Sequence, residues 1–310
     1  MKIDLSTLSI RKTHEDLKNR IFSASDLTDA YLSNIKAKNK NLNVFLEVFE
    51  KSARAQAENV DHIIKNSSRI DLEKRLHLLA GIPIALKDNI LVDGKLASGG
   101  SKILENYVAT YDSTVVAKLK KAEAVILGRT NMDEFAMGGS TENSAYGVTR
   151  NPHDTGRVPG GSSGGSAVAV SADLSLAALG SDTGGSVRQP ASFCGIVGMK
   201  PTYGAISRHG LMAMASSLDQ IGPMTKSVDD AEILFEAIRG EDPKDSTTLP
   251  PKHFRSEMLP AKLRIGVPYD FLKEGVDVEV LSNFNQTLAN LKSLGHEIVP
   301  VDLPYIKYSL

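Results

Sequence analysis

The chain is organised around one stretch of small residues, Leu179-Gly-Ser-Asp-Thr-Gly-Gly-Ser186-Val-Arg-Gln-Pro-Ala191. The apolar residues just before it, from Leu174 onward, are typical of a short buried strand. Pro190 prevents a simple continuation in a ladder of strands, and the glycines allow a sharp turn whose backbone N–H groups are uncovered. Ser186 at the end of such a turn is suited to nucleophilic attack on a carbonyl beside an oxyanion hole. A tight turn whose serine only caps a helix is the alternative from this stretch alone.

The composition of the chain is that of a globular protein. Its 310 residues allow a sizeable core in one large domain or two, and 41% of them are hydrophobic and 24% charged. A formal net charge of −1 provides no overall attraction to nucleic acid or membrane. The only cysteine, Cys194, cannot form an internal disulfide, which favours a reducing compartment. Because no window approaches the roughly 18 apolar residues of a membrane span, and the N-terminus lacks an apolar signal region, we expect a soluble, cytoplasmic protein.

Helical and strand patterns alternate along most of the chain. The predicted helices begin at Ser25-Asp26-Leu27 and Asp112 and cover Glu50–Lys65, Ser227–Ile238 and Val276–Leu294, and the predicted strands cover Asn43–Phe49, Gly81–Lys87, Ala124–Leu127, Leu263–Val267 and Glu297–Val301. This alternation predicts a layered α/β fold with a mixed, mostly parallel β-sheet core covered by α-helices.

A glycine-rich region lies between these elements. Residues 138–204 contain 14 of the 25 glycines. Gly160-Gly-Ser-Ser-Gly-Gly-Ser166 has the composition of a flexible linker. It leads, however, into the apolar run Ala167-Val-Ala-Val170, and linkers are not normally embedded in core material. We therefore interpret the segment as part of the folded core.

Several familiar catalytic patterns are explained better by chance. Gly160-Gly-Ser162-Ser-Gly164 matches G-x-S-x-G, but no convincing Asp and His follow it, and it lacks the Lys of a phosphate loop. Ser9–Lys12 and Ser33–Lys36 match S-x-x-K on polar N-terminal segments. The seven histidines show no metal-ligand spacing, so His153 and His209, which lie near glycine-rich segments, are interpreted as surface or structural residues. Cys194 lies in an apolar run and is interpreted as a buried, inert thiol.

A serine nucleophile without a histidine needs another base, and Lys87 is the best candidate. It ends a predicted apolar strand, where burial would lower its pKa and leave a neutral amine. The alternative is a lysine that reaches the surface or pairs with Asp88.

Three motifs in one order resemble those of the amidase signature family: Gly81-Ile-Pro-Ile-Ala-Leu-Lys87-Asp-Asn, Gly160–Ser166 and Gly180–Ala191. Within that family, the chain resembles the glutamine-hydrolysing subunits of tRNA-dependent amidotransferases. Four further motifs carry this resemblance: Asn131–Gly138, Thr141–Gly147, Arg150–Pro152 and Ser216–Pro223. The sequence departs from the family pattern at three positions. Val187 and Met199 replace other aliphatic residues that are common there, and His153 stands where a tryptophan is usual. The resemblance implies one domain over 1–310, with a mainly helical region over about 1–70 and a catalytic core over 81–204.

The resemblance also implies a Ser–cis-Ser–Lys triad. By motif, Ser186 is the nucleophile, Ser162 the bridging serine after a cis peptide at Gly161, and Lys87 the base. The implied oxyanion hole consists of the backbone N–H groups of Thr183, Gly184, Gly185 and Ser186. Met137 and Gly138 match positions that line the family's substrate pocket, and no metal site is implied.

The activity that the resemblance implies is glutamine hydrolysis within a heterotrimeric ligase. Ammonia would pass to a B subunit that uses ATP and Mg²⁺ to convert Glu-tRNA(Gln) to Gln-tRNA(Gln), and a small C subunit would steady the pair. This chain itself is expected to bind no cofactor. Pro304–Leu310 looks like the opening of a longer segment, so the residues that hold the glutamine amino and carboxylate groups are expected beyond it. A stand-alone amidase acting on another amide and a non-catalytic assembly protein remain alternatives.

Overall fold

The computed structural model describes residues 3–250, 252, 260–272 and 275–308. These residues form two compact units, Met1–Pro251 and Lys252–Leu310. The interpretation of 1–310 as one domain stays a prediction, and each unit is described by itself.

The first unit alternates helices and strands. Its elements are α1 Ile10–Lys18, α2 Ala24–Leu42, β1 Phe45–Val48, α3 Glu50–Asn66, α4 Arg69–Arg75, β2 Pro83–Lys87, α5 Thr114–Lys121, β3 Val125–Thr130, α6 Gly164–Ser171, β4 Ala177–Asp182, α7 Arg188–Phe193, β5 Val197–Gly198, β6 Gln220–Thr225 and α8 Val228–Ile238. Short 3₁₀ turns lie at Leu5–Thr7, Lys102–Leu104 and Glu134–Ala136.

Six of these strands form one mixed sheet in the order β1-β3-β2-β4-β6-β5. Strands β3, β2 and β4 are parallel neighbours, β1 and β6 lie antiparallel to them on either side, and β5 is antiparallel to β6. Strands β2, β3, β4 and β5 therefore share one direction, which confirms the predicted α/β fold with a mixed, mostly parallel sheet. Because β2 and β4 are parallel, their carboxyl ends, at Lys87 and Asp182, meet at the same edge of the sheet.

Helix α6 fills the centre of the glycine-rich region and packs against the sheet. Every residue from Gly164 to Val170 is buried. A Cβ at Gly164 would lie 2.2 Å from Thr141 Oγ1, and one at Gly165 would lie 2.4 Å from the backbone oxygen of Asn131. The small residues thus permit close packing, as expected for a segment of the core and not for a flexible linker.

Two of the predicted N-cap residues are wrong by one or two positions. Helix α2 is capped by Ser23 through a capping box with Asp26, whereas the Ser25 hydroxyl donates to Asp61 at 2.5 Å. Helix α5 is capped by Ser113 in place of Asp112.

Asp112 is engaged elsewhere, since its carboxylate accepts from Lys120 Nζ at 2.7 Å and from the backbone N–H of Asp93 at 2.9 Å. Ser227 caps α8 as predicted. The two errors arise because neighbouring serines and aspartates have similar capping propensities, and tertiary partners choose between them.

The second unit contains two strands and one long helix. Its elements are β7 Arg264–Val267, α9 Val278–Ser293 and β8 Glu297–Pro300, with 3₁₀ turns at Tyr269–Leu272 and Ile306–Tyr308. Strands β7 and β8 pair in parallel, joined through α9, so the late alternation expected from the sequence is confirmed. In the described part of the chain, no helix combines the length and apolar character that crossing a membrane requires.

Candidate active site

Lys87 is the last residue of β2, and its side chain is completely buried. Its Nζ lies 2.7 Å from Ser162 Oγ. Burial lowers the pKa of this amine to about 7, although the negative charges of Asp133, Asp182 and Asp219 oppose the shift. A substantial fraction of Lys87 is therefore neutral near pH 7, as a base requires.

Ser162 lies in the loop that leads into α6, and its side chain is also completely buried. The Gly161–Ser162 peptide is cis, as the family resemblance implied. Gln189 Oε1 accepts from the N–H of Gly161 at 2.8 Å, and Thr141 Oγ1 donates to the carbonyl of Gly160 at 2.8 Å. The Gly160–Gly161 peptide unit, directly before the cis bond to Ser162, is therefore held on both its C=O and its N–H by side chains from other parts of the chain.

Ser186 ends the turn between β4 and α7, and 9% of its surface is exposed. The N–H of Ser163 donates to the carbonyl of Ser186 at 3.1 Å. This bond holds the loop that carries Ser162 against the turn that carries Ser186. The structure therefore places Lys87 in contact with Ser162, and the backbone of Ser186 beside the loop that carries Ser162.

Asp182 organises the turn that presents Ser186. Its carboxylate accepts from the N–H of Gly185 at 2.8 Å and of Val187 at 3.1 Å, and it pairs with Arg188 at 3.0 Å. Burial alone would raise the pKa of Asp182, but the bonds from Arg188, Val187 and Gly185 hold that pKa below its usual value. The carboxylate is thus charged and fixes the path of the backbone from residue 183 to residue 188.

The turn leaves three of the four predicted oxyanion-hole N–H groups free. Gly185 donates to Asp182 and is already engaged. Within the described residues, the N–H groups of Thr183, Gly184 and Ser186 have no hydrogen-bond partner. The Thr183 hydroxyl donates to Asp219 Oδ1 at 2.5 Å, which anchors the start of the turn. Because Gly185 is committed to shaping the turn, the other three N–H groups are better placed to bind an oxyanion.

The two predicted pocket residues follow the 3₁₀ turn Glu134–Ala136. Met137 is 57% exposed. Gly138 packs against Asp133, since a Cβ there would lie 2.4 Å from the carboxyl carbon of that aspartate. The next residue, Gly139, accepts from Gln189 Nε2 at 2.9 Å. Gln189 therefore links the segment with Met137 and Gly138 to the loop at Gly160 and Gly161.

Residues interpreted as structural have structural contacts. Cys194 is completely buried, and burial raises the pKa of its thiol to about 12. His153 Nε2 lies 2.9 Å from the carbonyl oxygen of Cys194, the His209 ring lies 5.0 Å from that of Tyr111, and Ser9 caps α1. No group of three or more His, Cys, Asp or Glu side chains in the described ranges is arranged to hold a metal ion.

Sequence reasoning missed the polar residues that support this cluster. They are Asn89, Asp133, Ser181, Asp182, Arg188, Gln189 and Asp219. All seven lie inside the quoted motifs. A polar residue in an otherwise small or apolar motif was the available signal, but its partners come from other motifs and were not predictable.

A family model described as Amidase matches residues 26–310. The chain belongs to this amidase family.

Proteins of known name within the family are similar over nearly the whole chain. The chain is 52% identical, over 306 residues, to a Microcystis aeruginosa protein named as the A subunit of glutamyl-tRNA(Gln) amidotransferase, with 97% of this chain and 62% of that protein covered. It matches the crystal structure of the A subunit of glutamyl-tRNA(Gln) amidotransferase from Thermotoga maritima with a TM-score of 0.83 and 44% identity, covering 100% of this chain and 64% of that one. A native peptide amidase from Stenotrophomonas maltophilia matches with a TM-score of 0.82 and 30% identity, covering 98% of this chain and 63% of that one. The chain thus spans less than two thirds of the length of these relatives.

Proposed function

We propose that this chain carries the glutamine-hydrolysing site of a tRNA-dependent amidotransferase. The contact between the buried Lys87 amine and Ser162 Oγ, at 2.7 Å, carries the proposal. A neutral lysine beside a serine, with a second serine on an adjoining turn, is the arrangement needed to activate a hydroxyl without histidine. The names of the Microcystis and Thermotoga relatives support an amidotransferase complex as its setting.

In the first half of the reaction, Ser186 Oγ attacks the carbonyl carbon of the glutamine side-chain amide. The Ser186 proton passes to Ser162 as the Ser162 proton passes to Lys87. The carbonyl oxygen becomes an oxyanion, which the free N–H groups of Thr183, Gly184 and Ser186 stabilise. Lys87 is then an ammonium, and its positive charge is offset by Asp133, Asp182 and Asp219.

In the second half, the tetrahedral intermediate breaks its C–N bond. The Lys87 proton returns through Ser162 to the departing nitrogen, so ammonia leaves and Ser186 holds an ester. Water then attacks that ester and gives up a proton through the same relay. The C–O bond to Ser186 breaks, glutamate departs, and the starting protonation states are restored.

The fate of the ammonia defines the proposed partners. It would be consumed on a B subunit that activates glutamate on tRNA(Gln) with ATP and Mg²⁺, with a C subunit completing the heterotrimer. Glutamine is the proposed substrate of this chain, and the nucleotide and Mg²⁺ are proposed to bind to the partner.

A stand-alone amidase is the second candidate, favoured by the likeness to the peptide amidase at 30% identity. The two candidates share the same serine chemistry and differ in the amide and in the need for partners. Tight co-purification with B- and C-type subunits and faster turnover of glutamine than of peptide amides would favour the amidotransferase. The reverse pattern would favour the stand-alone enzyme.

The test compares Ser186→Ala with Ser192→Ala, which alters an exposed serine on α7. Glutamate release from glutamine is measured with the chain in complex with its B and C subunits. We expect Ser186→Ala to lower the rate by about 10³-fold or more, and Ser192→Ala to leave it unchanged. Peptide mass spectrometry after reaction with a serine-reactive amide analogue should place the adduct on Ser186. Turnover that survives Ser186→Ala, or an adduct elsewhere, would refute the assignment.

A further inference from the structure

Lys87 has hydrogen-bond partners outside the relay. Besides Ser162, its Nζ lies 2.9 Å from Ser181 Oγ and 3.3 Å from the carbonyl oxygen of Ser181. Ser181 is on β4, which runs parallel to β2 as its direct neighbour. Resting on the function proposed above, we propose that Ser181, held by Asn89, is a positioning residue that turns the lone pair of Lys87 toward Ser162.

The number of hydrogen-bonding positions on the amine carries the argument. A neutral primary amine has two N–H donors and one lone pair, and three oxygens surround Nζ. The carbonyl of Ser181 can only accept, so it takes one N–H. If the Ser181 hydroxyl accepts the second N–H, the lone pair is left for Ser162, whose hydroxyl then donates. If the Ser181 hydroxyl donates instead, Ser162 receives an N–H and its own proton cannot reach Lys87.

Asn89 is the residue that controls the Ser181 hydroxyl. Only 2% of its surface is exposed, and its Nδ2 lies 2.9 Å from Ser181 Oγ. Its Oδ1 is buried and has no partner among the described residues. Rotating this amide by half a turn exchanges the two atoms, so that Oδ1 accepts the Ser181 hydroxyl hydrogen. Ser181 Oγ then offers only lone pairs to Lys87, which is the orientation that the relay needs.

The charges around Lys87 do not supply this direction. Asp133, Asp182 and Asp219 act on the amine through their charge, but no carboxylate oxygen in the described part of the chain lies within 4.0 Å of Nζ. Asp182 is itself paired with Arg188, and Asp219 with the Thr183 hydroxyl. The direct contacts of the amine are therefore those with Ser162 and Ser181.

The test measures sulfonylation of Ser186 by phenylmethanesulfonyl fluoride in the full complex, from about pH 5 to about pH 9; Ser186 Oγ forms a bond to sulfur and fluoride leaves. Ser181→Ala removes one acceptor from the amine, and we expect the rate to fall about 10-fold to 100-fold. The acid limb of the pH profile should also move to lower pH, because the ammonium form loses a stabilising acceptor. Ser181→Thr keeps the hydroxyl and should restore both the rate and the limb.

Ser175→Ala is the matched control, since Ser175 is completely buried just before β4 and its hydroxyl has no partner in the described residues. It should leave the rate and the pH limb unchanged. Asn89→Ala should shift the rate in the same direction as Ser181→Ala, and it provides the test if Ser181→Ala does not fold. A purely structural role of Ser181 would lower the rate equally at every pH, with no shift of the limb, and would overturn the inference.

Failure of the inference can be separated from failure of the proposed function. If the unchanged protein and Ser186→Ala react alike with the sulfonyl fluoride, the proposed nucleophile is wrong and the role of Ser181 is lost with it. If the unchanged protein reacts at Ser186, and Ser181→Ala reacts equally fast with the same pH limb, only the role of Ser181 is refuted.

Discussion

Two glycine- and serine-rich segments of the first unit, Gly160–Ser166 and Gly180–Ser186, have opposite surroundings. In the loop around Ser162, a Cβ at Gly160 would lie 2.6 Å from Gln189 Oε1, and one at Gly161 would lie 2.1 Å from Asp133 Oδ2. In the turn before Ser186, a Cβ at Gly184 would meet nothing within 4 Å, and one at Gly185 would have its nearest neighbour at 3.9 Å.

The difference shows that glycine serves two separate purposes in one site. In the packed loop, it allows other chain segments to approach the backbone, which fixes the buried Ser162. In the open turn, it leaves the N–H of Gly184 uncovered and open space around the backbone that leads to Ser186. Lys87 joins the two segments, since it contacts Ser162 in the loop and Ser181 just ahead of the turn.

The strongest test of the comparison is Gly161→Ala in the packed loop. The added methyl group would also lie 2.8 Å from the backbone nitrogen of Ser140, so the loop has to move. We expect the free energy of unfolding to fall by about 1–3 kcal/mol, as for other overpacked cores. The rate of Ser186 sulfonylation by phenylmethanesulfonyl fluoride should fall about 10²-fold, because a displacement of Ser162 by about 1 Å disrupts the relay. Denaturant unfolding and labelling kinetics measure the two effects.

Gly139→Ala is the control for this substitution. Its added methyl group would have its nearest neighbour, Gln189 Nε2, at 3.7 Å, which is an ordinary contact. Stability and rate should both stay close to those of the unchanged protein. A Gly161→Ala protein that matched this control would contradict the packed character of the loop.

The second test concerns Lys87, where the two segments meet. Its pKa is about 7 in the folded protein and near the ordinary value of 10.5 in the unfolded chain. Between these values the unfolded state binds a proton that the folded state does not, so the contribution of Lys87 to the free energy of unfolding increases as pH rises. The slope of this contribution against pH approaches about 1.4 kcal/mol per pH unit. The slope falls to zero above pH 10.5 and below pH 7, where both states have the same protonation. Lys87→Met should abolish sulfonylation of Ser186 and remove this slope.

The measurement is denaturant unfolding of both proteins at several values from about pH 7 to pH 9. The stability of Lys87→Met relative to the unchanged protein should decline steadily over that range. The same substitution at Lys51, which is exposed on α3, should produce no such decline. A constant difference between Lys87→Met and the unchanged protein would mean that the lysine is not desolvated as its burial indicates.

The smallest expected effect is that of Gly184→Ala in the open turn. Since the added methyl group meets nothing within 4 Å, the free energy of unfolding should change by less than about 0.5 kcal/mol. The methyl group occupies space beside a free N–H, however, and kcat/KM for glutamine should fall about 10-fold. Thermal unfolding and steady-state kinetics test the two statements.

Gly185→Ala should behave differently, because Gly185 has a φ of +128° and an alanine there is strained. It should lower both stability and rate. If Gly184→Ala destabilised the protein as much as Gly185→Ala does, the turn would be packed and the contrast between the two segments would disappear.

Much of the fold was predictable from local patterns. The alternation of apolar strands with amphipathic helices indicated the α/β class, and β2, α3, α8, α9 and β8 lie close to their predicted positions. The errors at Ser25 and Asp112 are local, because several capping residues compete within a few positions. The pairing order of the six strands was not predicted. The spacing of hydrophobic residues along a strand indicates that the strand is buried, but it does not indicate which strand lies beside it.

For the site, the sequence by itself determined the residue types and their motifs. Lys87 at the end of an apolar strand and Ser186 in a glycine-rich turn were identifiable from the residues themselves, whereas Ser162 was identified only through the resemblance to the amidase signature family. Only the tertiary structure decided which groups meet: Lys87 with Ser162 and Ser181, and Asp182 with the N–H of Gly185. The physical reason is that composition and period are properties of neighbouring residues, whereas desolvation and hydrogen-bond direction depend on groups that folding brings together from distant positions.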